Sequence, residues 1–210
     1  MIKNFKDYED AKNKLEMHNF PKGIVAFGSA RIPMNDEHIK EIEEISTVCA
    51  KKILSEKKNI SFITGGGPSV MTAWLKPAYE LGAQTGGMAL LLPHEKEEDQ
   101  LKFCNRETSC ILQTFEARKA IMLEYAKCIV IFKGGFGTMD ELFEALTLIK
   151  TRRIPEIPVF VYPANFYKDV LNFEKFIEAG TIRDDEWSVL KFMNSKQELI
   201  DNLFDLINKN

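Results

Sequence analysis

The sequence predicts an α/β fold: a doubly wound parallel sheet with helices on both faces, in a single domain spanning residues 1–210. Three observations carry that reading. Short apolar runs alternate with longer stretches of helical periodicity, three of the runs end in glycine-containing turns, and no stretch rich in Gly, Pro or Ser divides the chain. Runs such as Gly23-Ile-Val-Ala-Phe-Gly28, apolar throughout rather than alternating, suit strands buried on both faces.

Residues 1–20 are read as an N-terminal helical extension before the first strand at 23–28. Pro33 and Asn35-Asp36 then open a helix that carries Ile39, Ile42, Ile45, Cys49 and Ile53 at spacings of three and four, with Glu41, Glu43, Glu44, Lys51 and Lys52 turned outward. A second strand at Ile60–Ile63 enters a glycine cluster, and Val70–Leu81 reads as a helix stopped by Gly82. Met88–Leu92 makes a third strand ended by Pro93, and the charged segment His94–Gln100 reads as a solvated loop. Ser109–Gln113 is a fourth strand, Glu116–Ala126 a helix, Cys128–Phe132 a fifth strand, Asp140–Ile149 a helix and Ile157–Tyr162 a sixth strand. Helices at Phe166–Ala179 and Lys196–Ile207, with a short strand at Val189–Phe192 between them, complete the reading; 180–210 is taken as a mainly helical C-terminal segment.

Composition narrows the functions. Twenty-eight Lys and Arg face 31 Asp and Glu, a net charge of -3, so no basic surplus argues for nucleic acid or an acidic membrane surface. The longest apolar runs fall far short of the roughly 20 residues that span a bilayer. The N-terminus carries acids early and no apolar core before a cleavage site, so a cytoplasmic location is expected. Cys49, Cys104, Cys110 and Cys128 form no CxxC pair and are expected to be buried or free thiols. His18, His38 and His94 lie in no metal-binding spacing and are expected on surfaces or ordinary helix positions.

The chemistry concentrates at three strand ends: Gly28-Ser-Ala-Arg31, Thr64-Gly-Gly-Gly-Pro-Ser69 and Lys133-Gly-Gly-Phe-Gly-Thr138. Ligands of such sheets sit beyond the carboxyl ends of the strands, where glycines admit close backbone approach and helix N-termini favour anions. Neither GxxxxGK[ST] nor GxGxxG with its acidic partner occurs, which disfavours a triphosphate or dinucleotide site. Glu141 follows the third turn by about one helical turn, and Arg118 and Lys119 stand near the start of the preceding helix, where cations need an anion to compensate them.

Together, GGxGTxxE at Gly134–Glu141, the ARK element at Ala117–Lys119, GSAR at Gly28–Arg31 and TGGGP at Thr64–Pro68 resemble the Lonely Guy family. These are Rossmann-like, cytokinin-activating phosphoribohydrolases, many of them labelled lysine decarboxylases. The resemblance runs from about Ile24 to Ala179, with two departures: Lys133 stands where the family usually has Pro, and Ser69 where it usually has Gly. It implies hydrolysis of the N-glycosidic bond of a nucleoside 5′-monophosphate, AMP or an N6-modified AMP, to free base and ribose 5-phosphate. On that reading Glu141 and Arg118 are the candidate catalytic residues. Gly28, Ser29, Gly65, Gly66, Gly67, Lys119, Gly134, Gly135, Gly137 and Thr138 would bind substrate, with neither metal nor cofactor. The decarboxylase label lacks support, because no segment reads as the setting of a Schiff-base lysine. The competing reading is a non-catalytic carrier of a nucleotide or phosphorylated cofactor, of the molybdenum cofactor carrier kind. The family also implies a homodimer or assembly of dimers, and the broad apolar surfaces of the helices around Ile121–Ala126 and Leu142–Ile149 point the same way.

Overall fold

A computed structural model describes residues 2–90 and 97–209. In chain order the elements are α1 (Ile2–Met17), β1 (Gly23–Phe27), α2 (Glu37–Ser55), β2 (Ser61–Thr64), α3 (Val70–Glu80), β3 (Thr85–Leu90), α4 (Glu97–Gln100), β4 (Cys110–Leu112) and α5 (Phe115–Glu124). They continue with β5 (Ala126–Ile131), α6 (Phe136–Lys150), β6 (Val159–Val161), α7 (Ala164–Val170), α8 (Phe173–Glu178), β7 (Leu190–Phe192) and α9 (Lys196–Asn208). All the strand pairings are parallel, and the sheet order is β4-β3-β2-β1-β5-β6-β7. The chain therefore winds outward from β1 in one direction, then restarts beside β1 at β5 and winds in the other. The crevice above the β1–β5 junction is the switch point at which such sheets bind ligands.

Period-two alternation divides the strands between two cores. Ile24 and Ala26 of β1, Phe62 of β2 and Cys128 and Val130 of β5 face one layer, where Ile39, Ile42 and Ile45 of α2, Trp74 of α3 and Leu203 of α9 cover them. Val25 and Phe27, Ile63, Ile129 and Ile131 face the other, under Leu15 of α1, Ile121 and Met122 of α5 and Leu142 of α6. Helices thus cover both faces, which is why the strands are apolar without interruption. The helix periodicity works as read: the α2 residues picked out at spacings of three and four are all buried, and the Asp36 side chain caps the helix by accepting from the His38 amide. All four cysteines are buried and unbridged, with burial pushing the Cys49 and Cys104 thiols up to about 12.

Several boundaries differ from the sequence reading, each for a local reason. The single helix expected over 166–179 is two, α7 and α8, because the Asn172 side chain accepts from the Lys175 amide and starts a new helix there. The sixth helix begins at Phe136 rather than Asp140, so Gly137 and Thr138 belong to its first turn and Gly135 is its N-cap. Of the segment read as a solvated loop, residues 94–96 lie outside the described residues, as do positions 91–92 of the third strand. Residues 97–100 form a helical turn that buries Gln100, contrary to the loop reading. The broad apolar surface of α5 is partly covered from within the chain, since α1 packs on α5. On α6, Phe143 meets Phe173 of α8 at 6.4 Å between ring centroids yet stays partly exposed. Among the described residues no helix is long and apolar enough to cross a membrane.

Candidate active site

The turns that follow β1, β2 and β5 and the first turns of α5 and α6 enclose a cavity of about 430 Å³ at the switch point. That volume lies within the range of small-molecule sites. Backbone lines much of it: Gly28 and Ser29 after β1, Gly65 and Gly66 after β2, and Gly135, Gly137 and Thr138 at the start of α6. Among the described residues no side chain caps the α6 N-terminus, so the amides of its first turn, which have no acceptor within the helix, are available to an anion. Gly134 stands just outside the lining. A Cβ there would fall 2.1 Å from Thr138 Oγ1, so only glycine lets the turn fold back on its own helix.

Glu141 and Arg118 meet on the floor. The Thr114 hydroxyl caps α5 by accepting from the Ala117 amide, and Arg118 follows in the first turn of that helix. Its Nη2 donates to Glu141 Oε1 at 2.9 Å. Gly65 backs the guanidinium, where an added Cβ would come within 3.1 Å of Nη1, and the Phe115 ring lies 5.2 Å from the guanidinium carbon. Glu141 is only 8% exposed. Burial pushes its carboxyl up to about 7, with Asp140 adding to the rise and the Arg118 and Lys119 charges opposing it. A carboxyl of that kind, next to a permanent cation in a cleft, is the ordinary equipment of an acid–base or charge-stabilising site.

The other expected site residues divide. Gly28, Ser29, Gly65, Gly66, Gly135, Gly137 and Thr138 line the cavity, whereas Gly67, Gly134 and Lys119 do not. Lys119, one residue after Arg118, turns away by about 100° of helix and pairs with Asp140 at 2.8 Å and with Glu144. Gly67 acts at one remove: its amide donates to the Gln100 carbonyl at 3.2 Å, which ties the second glycine turn to α4. Gln100, Arg31, Phe115 and Phe136 line the cavity although they were not among the expected site residues. Arg31 and Phe136 had a visible signal, each sitting inside a glycine motif. Phe136 is 97% exposed at the mouth.

His38, expected on a surface or at an ordinary helix position, lies on α2 and is buried against the rings of Phe132 and Tyr162 beneath the third glycine turn. At Ser69, where the family usually has Gly, φ is 62°, a conformation that favours glycine, and the serine hydroxyl donates to the Ile32 carbonyl at 2.8 Å. Among the described residues no group of three or more His, Cys, Asp or Glu side chains is placed to hold a metal ion.

Comparison with known proteins places this geometry. A family model described as possible lysine decarboxylase matches residues 71–203, whereas a search of curated proteins finds no significant match. The molybdenum cofactor carrier protein of Chlamydomonas reinhardtii is similar at a TM-score of 0.55, with 20% identity over 89% of this chain and 99% of the carrier. The structural-genomics target TM1055 gives 0.53 with 18% identity, covering 88% and 99% of the two chains. The molybdenum cofactor binding protein of the phototrophic bacterium Rippkaea orientalis gives 0.53 with 18% identity over 88% and 95%. At such identities the structures share the fold alone. The family match, spanning more than half the chain and containing both Arg118 and Glu141, goes further: this chain belongs to the family described as possible lysine decarboxylases, the Lonely Guy family.

Proposed function

We propose that the chain hydrolyses the N-glycosidic bond of a nucleoside 5′-monophosphate, AMP or an N6-modified AMP, releasing free base and ribose 5-phosphate. The observation that carries the reading is the part-buried Arg118–Glu141 pair, on the floor of a cavity whose rim is helix N-terminus and glycine backbone. The 5′-phosphate would lie at the α6 N-terminus, held by the amides of its first turn and the Thr138 hydroxyl. The ribose would extend inward to Glu141 and the base outward toward Phe115 and Phe136, whose exposed rings offer apolar faces.

As the C1′–N bond stretches, positive charge builds on the ribose. The Glu141 carboxylate stabilises that charge and orients the water that adds to C1′. The water oxygen bonds C1′ as the C1′–N bond breaks and one water proton passes to the carboxylate; the bonding pair leaves with the base, which takes up a proton from solvent, and the Glu141 carboxyl then returns its proton to solvent. Arg118, bonded to the reacting carboxylate, would stand beside the leaving base.

The carrier reading keeps one specific support, the fold shared with the Chlamydomonas molybdenum cofactor carrier protein. A carrier needs the glycine turns but has no use for a buried carboxylate. Incubating purified protein with a panel of nucleoside monophosphates, and with adenosine as the phosphate-free control, tests the two. Free base from a monophosphate and little from adenosine supports the hydrolase; tight binding without base release from any member supports the carrier. We also propose that the protein acts as a homodimer or an assembly of dimers, with Phe143 and its neighbours on α6 in the interface.

A further inference from the structure

We infer that His38 is a positioning residue for the phosphate-binding turn: its imidazole holds the Lys133 peptide, and through it the start of the Gly134–Thr138 segment, in the conformation that presents the α6 amides. The inference rests on the nucleotide reading above. The contact is backbone to side chain, with the Lys133 amide donating to His38 Nε2 at 3.2 Å. His38 is 3% exposed, wedged against Phe132 and Tyr162 at ring-centroid distances of 5.9 and 5.8 Å. On the other side of the same residue, the Lys133 carbonyl accepts from the Ser29 amide at 2.9 Å. The backbone of one residue, Lys133, therefore joins α2, the turn after β1 and the turn after β5.

The sequence departure explains why such a brace is needed. Where the family usually has Pro, this chain has Lys133, which regains a backbone N–H and loses the fixed φ of the proline ring. A buried amide without an acceptor is costly, and a flexible residue ahead of two glycines would loosen the turn. His38 answers both requirements, since a proline there would leave Nε2 nothing to accept.

Acceptance at Nε2 requires the neutral tautomer protonated at Nδ1. The surroundings favour the neutral ring: burial and the Lys133 ammonium push the imidazole down to about 4, with Asp36 opposing. Nδ1 faces Glu41 Oε2 at 3.7 Å, beyond hydrogen-bond reach, and that carboxylate is already engaged by the Tyr162 hydroxyl at 2.9 Å. The acceptor is thus unprotonated at neutral pH, and His38 lies outside the cavity lining, so its effect on a ligand must pass through the turn.

The test compares His38→Phe, which keeps a ring but no acceptor, with His38→Gln, whose amide oxygen can accept. Calorimetry gives Kd for ribose 5-phosphate and for adenine, and amide exchange is followed at Lys133. His38→Phe should weaken ribose 5-phosphate about tenfold, the scale of one lost hydrogen bond, leave adenine within twofold and speed exchange of the Lys133 amide. His38→Gln should recover most of both losses. Equal weakening of both ligands, wild-type ribose 5-phosphate affinity in His38→Phe, or unchanged Lys133 exchange would overturn the inference. Should His38→Phe fail to fold, His38→Gln decides alone: near-wild-type ribose 5-phosphate affinity with a protected Lys133 amide supports the brace, and loss of either refutes it. Wild-type protein that binds neither AMP nor ribose 5-phosphate would instead remove the nucleotide reading itself, and the inference with it.

Discussion

Replacing Glu141 by Gln isolates charge from shape. The amide occupies the same volume at 2.9 Å from Arg118 Nη2, so the floor of the cavity should survive while the negative charge disappears. A carboxylate roughly 4 Å from the charge developing on the ribose, at an effective dielectric of about 20, contributes about 4 kcal/mol to the transition state. That corresponds to roughly a thousandfold in rate, at the upper end of what removal of one such contact costs elsewhere. The assay is single-turnover release of free base from AMP, read by chromatography, beside calorimetric binding of AMP; the rate should fall about a thousandfold with Kd changed only several-fold.

The pH profile supplies a second check on the same variant. With the Glu141 carboxyl near 7 and its ionised form required, kcat/KM in the wild type should fall tenfold per pH unit below about pH 7 and level off above it. The variant should lack that limb. Stability runs the opposite way: a carboxyl whose folded value is raised above its unfolded one holds extra protons in the native state, so stability relative to Gln should decline as pH rises from about 4.5 to 7. A Gln variant turning over within tenfold of wild type, or keeping the limb near pH 7, would refute the electrostatic role.

Three further outcomes follow from the packing. Gly134→Ala sets a methyl 2.1 Å from Thr138 Oγ1, so the turn must shift; turnover should drop about a hundredfold, and urea melts should show a loss of roughly 1–3 kcal/mol. Trp74→Ala, removing a fully buried ring between Phe62 and Phe132, should cost about 3–5 kcal/mol in the same melts while activity per folded molecule is kept. Light scattering at micromolar concentration should give at least twice the monomer mass, and a monomer that retains activity would sink the proposed dimer.

How far the sequence reaches is seen best by comparing neighbours. The strands around Val25 and Ile129 and the buried stripe of α2 were legible because their signal is local: a strand buried on both faces must be apolar throughout, and a helix on a sheet must repeat every three to four residues. The glycine turns were equally legible, since the need for close approach or positive φ is written in the residue itself. Boundaries were less so, because Asn172 ends one helix and starts another through a single capping bond that periodicity does not register.

Arg118 and Lys119 are adjacent cations that were both expected at the site, one catalytic and one substrate-binding, yet one lies on the cavity floor and the other pairs with Asp140 and Glu144 on its far side. Only the rotation of α5 against α6, set by which apolar face each buries, separates their roles. His38 and Gln100 make the same point from the polar side. Their residue types predict exposure, yet both are buried, the His38 ring accepting from the Lys133 amide and the Gln100 main-chain carbonyl from the Gly67 amide, partners distant in the chain. Local sequence determines which elements form and where glycine is required; which side chains converge on one cavity is decided by packing between elements distant in the chain, because a contact between residues 23 or 95 positions apart leaves no period in the sequence to read.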